Sequence, residues 1–209
     1  MRLFDCNTAP SPRRVRIFAA EKNLELELVP VDLGSGGQFS ADFRAVNPDC
    51  VVPALELDDG TCISEVVAIC QYLEEFQPEP TLFGSTAIER ATAAMWNAKA
   101  EQQGLWAVAD AYRNYSRGLA GHALPGPDKY AQIPELAERG KSRVLSFFKK
   151  LDARLAQNEF LAGDRFTIAD ITAVVTIDFA ARIKISIDDD ATNLQRWYAT
   201  VSARPSASA

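Results

Sequence analysis

Three stretches of this 209-residue chain set side chains and backbone groups where they can do chemistry. In the first, residues 54–57 and 61–64 are short alternating runs on either side of Asp58-Asp59-Gly60, which marks a β-hairpin. Val52-Pro53 stands at the entrance to the first of these strands, where proline has no ladder hydrogen bond to lose and a cis peptide suits the tight entry. Ser64 is placed to cap a following helix that carries Val66, Ile69, Cys70 and Leu73 at helical spacing. A helix beginning there points free N–H groups at whatever lies beside Pro53, and that is an anion site. In the second stretch, Asn7-Thr8-Ala9-Pro10-Ser11-Pro12, the hydroxyls of Thr8 and Ser11 precede a helix with Ser11 as its cap and Pro12 at its first position. The third is the series Gln103, Trp106, Asp110 and Arg113, whose three- and four-residue spacing puts them on one helix face. A mixed polar and aromatic stripe suits the lining of a small-molecule site; helix packing and a dimer contact are the alternatives.

The elements that position these groups follow from pattern. Residues 2–6 read as a strand, the helix after Ser11 turns Val15, Phe18 and Ala19 inward, and Asn23 breaks it. Residues 25–31 alternate as a second strand, so strand, helix and strand form a βαβ unit with parallel strands. A glycine loop at 34–37, a short helix over 39–45, the hairpin and its helix complete a βαβαββα module. Gln77-Pro78-Glu79-Pro80-Thr81 punctuates the chain, giving a first domain over 1–78 and a second over 87–209. The second domain has no strand signals. A long helical stretch covers 88–119, a Gly/Pro-rich loop with His122 follows to 134, and a second long helix covers 136–155. Thr167-Ile168-Ala169-Asp170 has the form of a capping box, with Asp170 structural rather than catalytic, and a last helix carries Trp197 before Arg204-Pro205.

Composition narrows the function. The chain is 47% hydrophobic and 24% charged with a net charge of −6, ordinary for a globular protein and against a nucleic-acid partner, which asks for a basic face. No run approaches the ~18 apolar residues of a membrane span. Asp5 stands where a signal peptide would be apolar, so the expected location is the cytoplasm. The four cysteines, at 6, 50, 62 and 70, have no CxxC spacing and only one histidine to assist them, so no metal site is expected. Cys62 and Cys70 read as small core residues and Cys6 as part of the first strand.

Asn47-Pro48, Val52-Pro53-Ala54-Leu55, the Asp-Asp-Gly turn and Glu65-x-x-Ala68-Ile69-x-x-Tyr72-Leu73 together resemble the glutathione-binding half of the cytosolic glutathione S-transferases, bacterial type. Thr167-x-x-Asp170 and Trp197…Arg204-Pro205 resemble the carboxy-terminal signature of the same family. The resemblance implies an α/β thioredoxin-like domain followed by an all-α domain, a cytoplasmic homodimer, and glutathione as co-substrate without a metal. It also implies a detoxifying transferase that joins the glutathione thiol to small hydrophobic electrophiles, after lowering the thiol's pKa so that more of it is thiolate.

Within that resemblance Glu65 holds the γ-glutamyl amine, the backbone N–H of Val66 its carboxylate, and the Val52 backbone the cysteinyl unit, with Pro53 as the cis-proline. Val66 lacks the hydroxyl and Val51 the lysine that many members carry there, and Gln38 substitutes for part of the latter. The usual position of the thiol-activating donor falls at Ala9 or Pro10, which have none; Ser11 is then the first candidate and Thr8 the second, with Arg13 in the same first turn. Gln103, Trp106, Asp110 and Arg113 are the candidate electrophile residues. The run from Val31 to Phe39 resembles bacterial disulfide-bond reductases of the family, so reductase or peroxidase chemistry is one alternative. A non-catalytic binding protein is the other, suggested by Ala9, Pro10, Val51 and Val66.

Overall fold

A computed structural model describes all 209 residues. By internal contacts the chain divides into one unit of Met1–Pro80 with Leu124–Asp128 and Ala209, and a second of Thr81–Ala123 with Lys129–Ser208.

The first unit is built on a sheet of β1 (Arg2–Asp5), β2 (Glu27–Pro30), β3 (Ala54–Glu56) and β4 (Cys62–Ser64) in the order β2-β1-β3-β4. β1 pairs in parallel with β2 and antiparallel with β3, which pairs antiparallel with β4. With α1 (Pro10–Glu21), α2 (Ala41–Val46) and α3 (Val66–Phe76) this is the βαβαββα thioredoxin-like arrangement expected. Phe4, Val31, Phe43 and Ala54 form one apolar cluster between sheet and helix, with Val29, Leu33, Val46 and Val52 packed against it. At the end of α1, Lys22 is buried with its ammonium 2.6 Å from Glu74 and donating to the carbonyls of Gln77 and Pro80 at 2.7 and 2.8 Å. A buried cation survives only when paired, and here the pairing ties α1 to the segment that follows α3.

Two helix starts differ from expectation. The N-cap of α1 is Ala9, not Ser11, and Pro10 rather than Pro12 takes the first position. The residue before a proline is pushed into extended conformation, and Ala9 adopts it at φ −91°, ψ 138°. The N-cap of α3 is Glu65, not Ser64, because Ser64 is still held in the ladder opposite Ala54 and the change of direction falls one residue later. The cysteine expectations divide: Cys70 is buried, Cys62 is exposed on the edge strand β4, and Cys6 lies just beyond the end of β1.

The second unit is helical: α4 (Ala87–Lys99), a π-helical segment Ala100–Leu105, α5 (Trp106–Tyr115), α6 (Pro134–Leu155), α7 (Ile168–Ala180) and α8 (Thr192–Ser202). α7 is buried on nearly every side, and its start is fixed by the expected capping box. The fully buried Asp170 carboxylate accepts from the N–H of Thr167 at 3.0 Å, the Thr167 hydroxyl at 3.2 Å, the N–H of Leu161 at 3.0 Å and Trp197 Nε1 at 2.9 Å. One side chain thus caps α7, holds the loop before it and pins α8. None of the helices is long and apolar enough to cross a membrane.

Burial pushes the Asp170 carboxyl up to about 6, with the four donors pulling in the other direction. A folded-state value above the unfolded one means that this group's stabilising contribution is complete below about pH 4 and is lost as the pH rises through 6. Asp170→Ala leaves three buried N–H donors without an acceptor and should cost about 3 kcal/mol or more in urea unfolding. Asp170→Asn does not titrate, so its deficit relative to the unmodified chain should be larger at pH 4.5 than at pH 7; a deficit that grows with pH would contradict this account.

Candidate active site

Continuing the register of the sheet assembles the site. Phe4 faces Ala54, so Asp5 comes opposite Pro53; Ala54 faces Ser64, so Pro53 comes opposite Glu65. The loop after β1, the entry to β3 and the start of α3 therefore meet at one end of the sheet, where α1 also begins. The Val52-Pro53 peptide is cis, as expected. Pro53 is buried, and Val52, half-buried, lies outside the ladder with its main chain beside the loop.

The segment that delivers Val52 is shaped by Asn47, which is 2% exposed. Its Nδ2 donates to the carbonyl of Val51 at 2.8 Å and its Oδ1 accepts from the N–H of Asp49 at 3.1 Å, while the N–H of Cys50 reaches the Asn47 carbonyl at 3.0 Å. Cys50 sits at φ 55°, a left-handed conformation that this set of bonds sustains. Pattern reading cited Asn47 only as part of a motif; a buried asparagine ahead of a proline-bounded strand is the signal it offered.

Glu65 adopts φ 68°, ψ 125°, an uncommon conformation for a residue with a Cβ, and makes no side-chain cap. Its carboxylate is exposed and available to a cation, while the first N–H groups of α3 are available to an anion. Strained residues at the edge of a helix N-terminus mark places where geometry is held for a ligand. Val66 is buried, so its side chain packs and only its main chain serves the site.

The start of α1 is different. Of its first three residues Pro10 and Pro12 have no N–H, and the N–H of Ala9 is taken by the Cys6 carbonyl at 2.9 Å. Ser11 is thus the one residue of the first turn with a free N–H, and its half-buried hydroxyl meets no partner in the chain. The first turn of α1 therefore offers two donors, both on one residue. Thr8 is exposed, with its hydroxyl 3.5 Å from the thiol of Cys6. In the turn just before α2, the Gln38 side chain has its Oε1 buried without a hydrogen-bond partner. The apolar Val51 presents its carbonyl to Asn47 and offers no charge.

In the helical unit the expected polar stripe does not form a free face. Lys150 donates to Gln103 Oε1, Arg143 Nη1 donates to Asp110 at 3.1 Å, and Arg113 donates to the carbonyls of His122 and Ala123 at 2.7 and 3.3 Å. These three bind α5 and the π-helical segment to α6 and to the loop that follows. The desolvation of Arg113 lowers its pKa somewhat, which reflects a structural burial. Trp106 is the exception, 58% exposed. His122, in the Gly/Pro-rich loop, is half-buried and its backbone bridges Tyr130.

A mixed four-stranded sheet with a cis-proline at its ligand-facing end, followed in the chain by an all-helical unit, defines a thioredoxin-like domain joined to a helical one. The chain matches the N-terminal domain of glutathione S-transferases over residues 8–75 and their C-terminal domain over residues 111–205. It is 34% identical to glutathione S-transferase 2 of Saccharomyces cerevisiae over 99% of this chain and 87% of that protein. The crystal structure of a glutathione S-transferase domain-containing protein from Marinobacter aquaeolei superposes with a TM-score of 0.91 at 42% identity, covering 99% of both chains. A Gtt2-class glutathione S-transferase of Vibrio parahaemolyticus gives a TM-score of 0.83 at 37% identity over 99% of this chain and 94% of that one. The chain belongs to the glutathione S-transferase family.

The role of Asn47 can be read directly. Asn47→Asp keeps the acceptor for Asp49 but sets a carboxylate oxygen against the Val51 carbonyl, so the segment before Pro53 must shift. Glutathione affinity by calorimetry should weaken about tenfold, the equivalent of ~1.4 kcal/mol, with kcat within about twofold of the unmodified enzyme. An unchanged Kd would show that Val52 is positioned without it.

Proposed function

We propose that this chain binds glutathione at the end of its sheet and transfers the glutathione sulfur to small hydrophobic electrophiles. The observation that carries the reading is that the loop after β1, Val52-Pro53 and Glu65 come to one sheet end by the strand register, where α1 with Ser11 also begins. Glu65 pairs with the γ-glutamyl amine, the N–H of Val66 with the γ-glutamyl carboxylate, and the Val52 main chain with the cysteinyl unit beside Pro53. The side-chain amide of Gln38 donates from Nε2 to the glycine carboxylate of the tripeptide.

Ser11 donates its hydroxyl and its N–H to the sulfur. A free thiol near pKa 8.5 is only a few per cent ionised at neutral pH, and each donor that favours the thiolate raises that fraction. The thiolate then attacks the electrophilic carbon, a carbon–sulfur bond forms, and the leaving group departs with its electron pair or, in an addition, the adjacent carbon takes the proton. Thr8 stands behind Ser11 as a second hydroxyl. In the helical unit Trp106 is the exposed candidate for apolar substrate contact, while Gln103, Asp110 and Arg113 hold the helix that carries it. The glutathione-binding domain covers residues 1–78 and the helical domain 87–209, and the enzyme works in the cytoplasm as a homodimer.

Calorimetric titration with reduced glutathione and with glutathione disulfide tests the reading. Reduced glutathione should bind, and more tightly than the disulfide. Preference for the disulfide would favour reductase chemistry, and no heat with either would leave a non-catalytic protein. With a chromogenic aryl halide, Ser11→Ala should retain glutathione affinity within a few-fold and lose about a hundredfold in kcat, the scale of a lost charge-stabilising donor. Full activity in that variant would remove Ser11 from the chemistry.

A further inference from the structure

One of the ties that hold the loop from Cys6 to Ala9 is charged. Asp5, at the last position of β1, has a side chain 7% exposed, and the guanidinium of Arg16, in the second turn of α1, is 11% exposed. Arg16 Nη1 donates to Asp5 Oδ1, and Arg16 Nη2 reaches the carbonyl of Asn7 at 3.4 Å. The Asp5 carbonyl accepts from the N–H of Val31 at 2.7 Å, so the carboxylate is fixed to the sheet. The turn itself is closed by the Ala9 N–H on the Cys6 carbonyl. One planar cation therefore spans strand end, turn and helix, and its fork geometry sets their spacing in a way that a single-point ammonium does not.

We infer that Arg16, held by Asp5, is a positioning residue for the thiol-activating donors: it fixes the Cys6–Ala9 turn and with it the register of Ser11 against Pro53. The inference rests on the proposed glutathione chemistry. Three facts support it together. Ser11 has no partner of its own to orient it. The prolines on either side of Ser11 leave the first turn of α1 without other donors to share the task. Asp5 comes opposite Pro53 in the continued register, so its ion pair ties α1 and the turn to the strand end beside the β3 entry. Arg16 does not touch the sulfur; its charge is already met by Asp5, and it acts through the turn.

The test separates this role from a general structural one. Arg16→Lys retains a cation for Asp5, but its shorter side chain ends in one nitrogen and does not span the two positions that Nη1 and Nη2 occupy between Asp5 and Asn7. It should keep its thermal midpoint and its calorimetric Kd for glutathione within about threefold. Its kcat should fall about tenfold, and the acid limb of its pH profile of kcat/KM for the electrophile, at saturating glutathione, should move up by about one unit, as the bound thiol returns toward its free pKa. The double variant Asp5→Asn/Arg16→Met removes both charges, leaves no lone buried ion, and should show the same upward move. Alkylation of Cys6 by iodoacetamide, followed by mass spectrometry, should be faster in both variants because the turn is looser. An unmoved acid limb and unchanged Cys6 reactivity would overturn the inference while leaving the transferase reading intact. A weaker Kd with an unmoved limb would also overturn it, since that is the mark of a purely structural part. If the unmodified chain binds glutathione but Ser11→Ala keeps full activity, Ser11 is not the group being positioned and the inference falls on that count alone. Failure of the unmodified chain to bind glutathione overturns both.

Discussion

The pairing of β1 with two different neighbours is the constraint on which the site depends. Parallel pairing with β2 sends the chain through α1 and back, so α1 must start at the carboxyl end of β1. Antiparallel pairing with β3 brings the amino end of β3 to that same place, and the hairpin then returns β4 so that α3 starts there as well. Two helix N-termini and a proline-bounded strand entry are thus collected by register alone, before any side chain is chosen. A shift of one residue in β3 would turn Ala54 and Leu55, both fully buried, to opposite faces, and the core penalty keeps the register where the site needs it.

The two helix N-termini collected in this way are not equivalent. α3 begins with free N–H groups behind a residue at positive φ and next to an exposed carboxylate, so it offers an anion its amides and a cation Glu65. α1 begins with two prolines in its first three positions, which pre-set the backbone but remove donors. Prolines there make a rigid start with little electrostatic reach, concentrated on one serine. That division suits a ligand with a zwitterionic end and a separate group of weak acidity: the charged end needs several fixed dipoles, while the acid needs one or two donors held at a defined distance. Rigidity at α1 is then worth more than an additional amide.

Much of this was legible in the sequence because it depends on local chemistry. The Asp-Asp-Gly turn, the proline at the β3 entry, the βαβ order and the Thr167–Asp170 box are each specified by residues within a few positions of one another. What was not legible depends on contacts between distant segments. Ser11 reads as an N-cap because serine caps helices, yet Pro10 takes the first helical position and pushes the cap back to Ala9. Cys62 reads as a core residue because free cysteine is usually buried, but β4 is an edge strand and the alternation turns it outward. The ion pair of Asp5 with Arg16 joins residues 11 apart on different elements, and no periodicity of either element announces it. The double hydrogen bonding of Asn47 is likewise invisible until the loop is closed.

Packing divides the stripe of Gln103, Trp106, Asp110 and Arg113, along the lines of the packing alternative. A count of 3.6 residues per turn assumes an unbroken α-helix, but Ala100–Leu105 is π-helical and shifts the phase between what precedes and follows it. The shift has a packing cause. A Cβ on Gly104 would lie 2.5 Å from a ring carbon of Phe147, and one on Gly140 would lie 2.6 Å from the Ala107 carbonyl, so the Phe147 ring of α6 sits against the π-helical segment and α6 approaches α5 nearly backbone to backbone. Arg143 supports that approach by donating to the Gln102 carbonyl as well as to Asp110. Glycine in a helix interior costs about 1 kcal/mol relative to alanine, and here the close crossing requires it at both positions. Once the helices lie that close, long polar side chains along their seam have partners within reach and are used up by the packing. Trp106, turned away from the seam, keeps its ring exposed, and this separation of framework residues from an available one arises from the two glycines rather than from the polar pattern that the stripe suggested.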